Sequence, residues 1–319
     1  MSEKRVFSSL RRAWRNKPSW AVPLALFITT CVTTTFVGYI TYSYGSMSRA
    51  LWFSVPLMTI LSAHELGHYL QLRRRGIPST FPLFLPAPLP PLGTLGAIMR
   101  IRARIPDRRV LFEMAASGPV AGLVVSLIFL CVGLYKSSLS STPPTDDMRF
   151  LTFGAPPIMR WLARLILVGE TTGARFVLLH PCAIAAWVGL LLTSLNLIPV
   201  GQLDGGHIIY SLLRRRSTFF SYVALAIVCV VAAIFRFWGW FIFVALIVAL
   251  GFKRVPTSDD TRPLGFCRAV AAWLVLAYLL VGFIPRPVYI DEPTPETDSV
   301  AKIDVSERGP LVFHIGSGR

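Results

Sequence analysis

Leu61-Ser62-Ala63-His64-Glu65-Leu66-Gly67-His68-Tyr69-Leu70 lies inside an apolar run reaching from about Leu51 to Leu72. In a helix, His64 and His68 stand one above the other on one face. That spacing lets two imidazoles hold one zinc, and it places Glu65 to take a proton from a zinc-bound water. Three ionisable groups in so apolar a run are costly, and a metal is the obvious compensation. The run stops at Arg73-Arg74-Arg75, a basic flank expected on the cytosolic side. The two histidines then lie on the order of 8–14 Å inside that edge, within the membrane but near the cytosol.

Composition points the same way. The chain has 319 residues, 54% hydrophobic and only 15% charged, against about 25% charged in an ordinary soluble domain. The expectation is an all-α polytopic membrane protein of about six to seven transmembrane helices. Net charge is +16, which taken alone suggests nucleic-acid binding. The arginine clusters, however, flank apolar spans, so no nucleic-acid partner is expected, and the bilayer itself is the partner. Cys31, Cys131, Cys182, Cys229 and Cys267 lie in or at the edge of apolar segments without a C-x-x-C pair, and read as small packing residues.

The expected spans are 20–42, 51–72, 111–135, 181–199, two from the apolar stretch 218–252, and 267–284. The 218–252 stretch would run about 50 Å as one helix. It is therefore expected to turn near Arg236, with Phe237, Trp238 and Trp240 as an aromatic belt. No cleavable signal peptide is evident, and the first span reads as retained. Most Lys and Arg residues fall in the segments this topology assigns to the cytosol.

Residues 76–109 are not a span, because six prolines between Pro78 and Pro91 break any helix. From Gly93 to Ile105 the sequence alternates like a strand: Leu95, Ala97, Met99 and Ile101 point one way, Thr94, Gly96, Ile98 and Arg100 the other. Backbone at membrane depth needs partners. This segment is either a hairpin or the pairing edge for an extended substrate; the pattern fits both. Glu113 is expected to pair with Arg108 or Arg109, and the stretch 157–168 to lie on the membrane surface as an amphipathic helix.

Catalytic zinc keeps three protein ligands and one open position. Two histidines leave one ligand missing. Asp204 is the best-placed acid: it follows the 181–199 span at the depth of the histidines, with Pro199 unwinding the helix before it and Gly205 and Gly206 after it. Asn196 either orients a substrate carbonyl or oxyanion, or bonds neighbouring helices. His207 reads as a packing or supporting histidine, and His180 as interfacial.

His64-Glu65-Leu66-Gly67-His68 together with Asn196-x-x-Pro199-x-x-x-Leu203-Asp204-Gly205 resembles the site-2 protease family of intramembrane zinc metalloproteases, in its bacterial and chloroplast-like branch. Gly93-Thr94-Leu95-Gly96-Ala97 is similar to the family's substrate-facing strand, with Leu95 where Phe is frequent, and Ser117-Gly118-Pro119 to its third-span motif. The resemblance covers about 50–215. It implies one zinc per chain on His64, His68 and Asp204, with Glu65 as general base and Asn196 beside it. Gly93, Thr94, Leu95, Gly96 and Ala97 would line the substrate path, as a small membrane-associated hairpin near the site. The substrate would be a single-span membrane protein, already cut by another protease.

Four parts are expected: a basic cytosolic leader, 1–19; a membrane-embedded protease domain, 20–252; a cytosolic loop and last span, 253–284; and an extracytosolic tail, 285–319. No room is seen for an inserted PDZ or CBS module. The expected setting is a bacterial plasma membrane, with N-terminus and active-site end cytosolic. Two other functions fit a membrane metal site, an inactive zinc-binding scaffold and a transporter. The presence of Glu65 and the lack of an internal repeat weigh against them.

Overall fold

A computed structural model of the chain describes residues 20–43, 45–140, 150–167, 176–236, 238–250, 257–291 and 312–314. The expected leader, Phe237 and most of the tail lie outside these residues. The fold is mostly helical. Helix α1 is Ala21–Thr41 and α2, which carries the two histidines, is Met47–Arg74. A hairpin of β1 (Leu83–Pro86) and β2 (Thr94–Ile98) follows, then a short β3 (Ile105–Asp107) running into α3 (Arg108–Tyr135). Beyond β4 (Ser138–Ser140) and β5 (Phe150–Phe153) come α4 (Pro157–Ile166), β6 (Phe176–Leu178) and α5 (Pro181–Leu197). Helix α6 (Asp204–Leu213) passes through one 3-10 turn, Arg214–Arg216, into α7 (Ser217–Phe235). The chain then continues through α8 (Trp238–Leu250), β7 (Thr257–Asp259), α9 (Phe266–Gly282), β8 (Val288–Asp291) and β9 (Val312–His314).

Among the described residues, three helical stretches are long and apolar enough to cross a membrane: Ala21–Thr41, Arg108–Tyr135 and Asp204–Phe235. The full count of six to seven spans is not established by these three. Helices α5 and α9 are shorter apolar helices, and α2 is diluted by its ionisable residues. The exposed faces are apolar at helical spacing. Leu24, Ile28, Val32 and Phe36 do this on α1, and Val120, Val124, Ile128 and Val132 on α3. Such stripes are unfavourable in water and stable against acyl chains.

Helix α3 is the centre of the bundle. It packs on α2 along one side and α5 along another, and touches α6 and α9. Small residues make this possible: Ala115, Ala116, Gly118, Gly122 and Ser126 form its buried stripe. Asp107 caps its start, accepting from the backbone N–H groups of Arg109 and Val110 at 3.0 Å each.

Several expectations are corrected. The strand pattern from Gly93 to Ile105 breaks after Ile98. The hairpin continues irregularly, with Thr80 and Pro78 bonding across to Arg100 and Arg102. Asp204, which follows the preceding span as expected, opens a helix of its own. Helix α5 stops at Leu197 because Pro199 has no N–H and disfavours helical backbone at Ile198. An acid in the first turn then suits the positive end of α6. Within the expected tail, β8 and β9 join the loop strands in one sheet of order β4-β6-β9-β5-β8. Trp240 is no belt residue. It is buried, stacks near Phe283 and donates to the Pro285 carbonyl at 2.6 Å. The chain does turn at Arg236, which takes a left-handed backbone. Cys182 is buried as expected, but Cys131, Cys229 and Cys267 face outward.

Candidate metal centre

The site forms where α2 meets the first residue of α6, against α3. The Nε2 atoms of His64 and His68 lie 3.2 Å apart, and each is 3.3 Å from Asp204 Oδ2. Both imidazoles are buried and Asp204 is nearly so. Among the described residues this is the one group of three or more metal-type ligands brought together.

The backbone of α3 sets the tautomer of His68. Its Nδ1 lies 2.8 Å from the Met114 carbonyl oxygen, which only accepts, so Nδ1 carries the proton and donates. In the neutral imidazole that a metal requires, the Nε2 lone pair then faces the Asp204 carboxylate, another acceptor. Two acceptors at 3.3 Å repel unless a cation sits among them. In a tetrahedral zinc site with bonds of about 2.0–2.1 Å, ligand atoms fall about 3.3 Å from one another. Two imidazole nitrogens and one carboxylate oxygen at this spacing fit zinc in both chemistry and size.

Three further residues complete the surroundings. Asn196, at the end of α5, brings Nδ2 to 3.5 Å from His64 Nε2. Glu65 is half-buried on α2, next in sequence to the first ligand, and its carboxylate makes no hydrogen bond among the described residues. Gly205 lets α6 press against the end of α5, since a methyl group there would meet the Leu197 carbonyl oxygen at 2.0 Å.

The other sequence-derived residues are placed as follows. Thr94, Leu95, Gly96 and Ala97 form β2, with Gly93 just before it. One edge of β2 pairs with β1, and no described strand pairs with the other. The hairpin is tied to α1 by Thr33, which donates to the Gly93 carbonyl at 2.8 Å, and β2 also contacts α2. Leu95 is 73% exposed, whereas Thr94 is buried and donates to the Leu85 carbonyl. His207 is buried one turn into α6 and is not part of the ligand cluster. His180 caps α5, its Nδ1 accepting from the Cys182 N–H, and contacts Trp52 edge-on. Burial, with the charges of Lys136 and Arg49 nearby, lowers the His180 pKa. Glu113 does not pair with Arg108 or Arg109. It holds Arg75 and Arg268, and accepts from Gln71, because those side chains come from the end of α2 and from α9 across the N-terminal end of α3.

One contributor escapes sequence reading and another was legible only in part. A backbone carbonyl such as that of Met114 leaves no mark in the sequence. Gly118 did have a signal, since its Ser-Gly-Pro motif was legible, but what it packs against was not.

Comparison with known proteins follows this geometry. Residues 52–237 match the model of Peptidase family M50. The chain belongs to that family. This is the site-2 protease family of the sequence reading, and every element of the metal centre lies inside the matched region. Among similar M50 proteins, the probable zinc metalloprotease EGY2, chloroplastic, of Arabidopsis thaliana is 35% identical over 162 residues, covering 50% of this chain and 28% of the relative. The probable zinc metalloprotease EGY1, chloroplastic, of the same plant is 27% identical over 250 residues, covering 76% and 44%. Its rice counterpart is 27% identical over 240 residues, covering 74% and 40%. The chain thus spans less than half the length of these relatives. No solved structure matches it.

Proposed function

We propose that this M50 protein is an intramembrane zinc endopeptidase. The observation that carries the reading is the convergence of His64, His68 and Asp204 ligand atoms at 3.2–3.3 Å, with Glu65 adjacent in the same apolar helix. Zinc held there would polarise the scissile carbonyl and acidify the attacking water. Glu65 would serve as general base, its carboxylate taking a proton from the attacking water and passing it to the leaving amine. Asn196 donates from Nδ2 toward the oxygen on which charge develops. The unpaired edge of β2 receives the substrate as an extended segment, because a helical peptide bond keeps its carbonyl engaged and shielded.

The substrate class that suits this arrangement is a single-span membrane protein, shortened beforehand by another protease, so that cleavage releases a membrane-tethered regulator. The protease domain is assigned to 20–252, with a cytosolic loop and last span to 284 and the tail beyond. Six to seven spans in a bacterial plasma membrane, with N-terminus and site on the cytosolic side, accord with the basic flank at Arg73–Arg75.

The deciding experiment compares wild type with Glu65→Gln for zinc content and for cleavage of a single-span test substrate in liposomes. About one zinc per chain in both, with cleavage only in wild type, is the expected result, since removing a general base costs about 10²–10⁴-fold. Equal cleavage by the variant, or a folded wild type holding no zinc, overturns the reading.

A further inference from the structure

The segment 257–264 wraps the end of α6 opposite to Asp204. Its strand β7 pairs in parallel with β3, Ile105 opposite Thr257 and Asp107 opposite Asp259. The carboxylate of Asp260 accepts from the hydroxyls of Thr257 and Tyr210, the latter at 2.6 Å. Its backbone carbonyl accepts from Arg214 at 2.6 Å and from Arg108 Nε at 3.2 Å.

Arg108 is the junction. It is the first residue of α3, only 5% exposed, and its guanidinium donates in three directions. It reaches the carbonyls of Asp260 and Arg262 in the strap, and that of Ser211 in α6 at 3.0 Å. The Ser211 carbonyl is one of those a helix end leaves without an intrahelical partner, and a cation suits that end. Arg109 adds a bond to the Pro263 carbonyl at 2.8 Å. Arg214, where the chain kinks out of α6, holds a positive φ of 53°. Such backbone persists only when its surroundings enforce it.

Helix α3 therefore holds both halves of the metal centre. Through the Met114 carbonyl it orients His68. About 9 Å away along the same helix, Arg108 grips the far end of α6. Helix α6 has ten residues, stiff enough to transmit the position of Tyr210 and Ser211 to Asp204.

We propose that the strap 257–264, acting through Asp260, Tyr210 and Arg108, is the positioning element that sets Asp204 against His64 and His68. It lies outside the region matched to the family, 52–237. The inference rests on the metalloprotease reading. It gives Asp260, Tyr210 and Arg108 a positioning role, and none of them touches the reacting atoms.

The test uses the full chain in detergent with cobalt in place of zinc, comparing wild type, Tyr210→Phe, Asp260→Ala and Asp260→Asn. Tyr210→Phe loses one hydroxyl and keeps the ring, so it tests the strap even if Asp260→Ala folds poorly. The expected result is an altered visible cobalt spectrum and faster metal loss to a chelator in Tyr210→Phe and Asp260→Ala. Their kcat falls about ten-fold with KM nearly kept, the scale seen when a supporting residue of a metal site is lost. Asp260→Asn, which still accepts from Tyr210, recovers most of both. Unchanged spectra and metal-loss rates in folded variants overturn the proposal. A folded wild type that takes up no metal overturns the protease reading instead. The strap is then decided by amide exchange across 204–213, where equal protection in wild type and variants overturns it.

Discussion

Gly118 of α3 lies against the imidazole of His68: a methyl group added to its Cα would sit 2.1 Å from Nε2, the atom that faces the metal site. At Gly122, one turn on, the same addition would meet His64 Nδ1 at a milder 3.1 Å. Gly118→Ala should therefore displace a ligand or open the α2–α3 interface. Overpacking of this kind costs about 1–3 kcal/mol. The expected outcome is loss of bound zinc and of cleavage in Gly118→Ala, with a smaller effect in Gly122→Ala. Metal analysis of the two purified variants checks the order, and equal zinc content would show that His68 does not need the space.

Asn196 brings its Nδ2 to 3.5 Å from His64 Nε2, beside the three ligand atoms. Asn196→Ala is expected to keep its zinc and lose about 10²–10³-fold in kcat, as on removal of one oxyanion donor. Rates on a test substrate, beside zinc content, check this. A variant at full rate would leave Asn196 as a helix–helix bond.

Leu95 projects from β2 almost free of the protein. Replacing it with Ser should leave melting nearly unchanged, within about 0.5 kcal/mol as for surface positions. If β2 receives substrate, KM rises several-fold while kcat is kept. An unaltered KM would take Leu95 out of the substrate path.

The strap also predicts a pH dependence. Burial raises the Asp260 pKa, but hydrogen bonds from Thr257 and Tyr210, with Arg108 and Arg214 alongside, outweigh it and hold the carboxyl below its usual range. A depressed folded pKa contributes stability that is complete above the unfolded value, about 3.9, and is lost as pH falls through the folded one. Melting should not respond to Asp260 between about pH 8 and pH 5, then fall below about pH 4. Asp260→Asn should flatten that acid limb. Melting curves of both proteins across this range check it, and parallel curves would remove Asp260 as the cause.

Much of the site was legible because its chemistry is short-range in sequence. His64, Glu65 and His68 share one helix, whose period alone sets two ligands on one face. Asp204 was legible by scarcity, as an acid beside apolar spans at matching depth. Its setting was not: that it opens α6 depends on where Pro199 stops α5 and on how closely Gly205 lets the two helices approach. The partners of Glu113 were missed because they come from α2 and α9. The burial of Trp240 was missed because an aromatic at a span end reads like an interfacial one until its neighbours are known.

By itself, then, the sequence determined a helical membrane protein of the site-2 protease type, with two histidines, one glutamate and one aspartate set apart for metal chemistry. Composition, helical period and motif spacing carry that information along the chain. Tertiary structure decided that the Met114 carbonyl orients His68, that Gly118 makes room for it, and that the strap 257–264 grips the end of α6. Those contacts join backbone atoms and segments far apart in the chain, and their pairing exists only once the helices have packed.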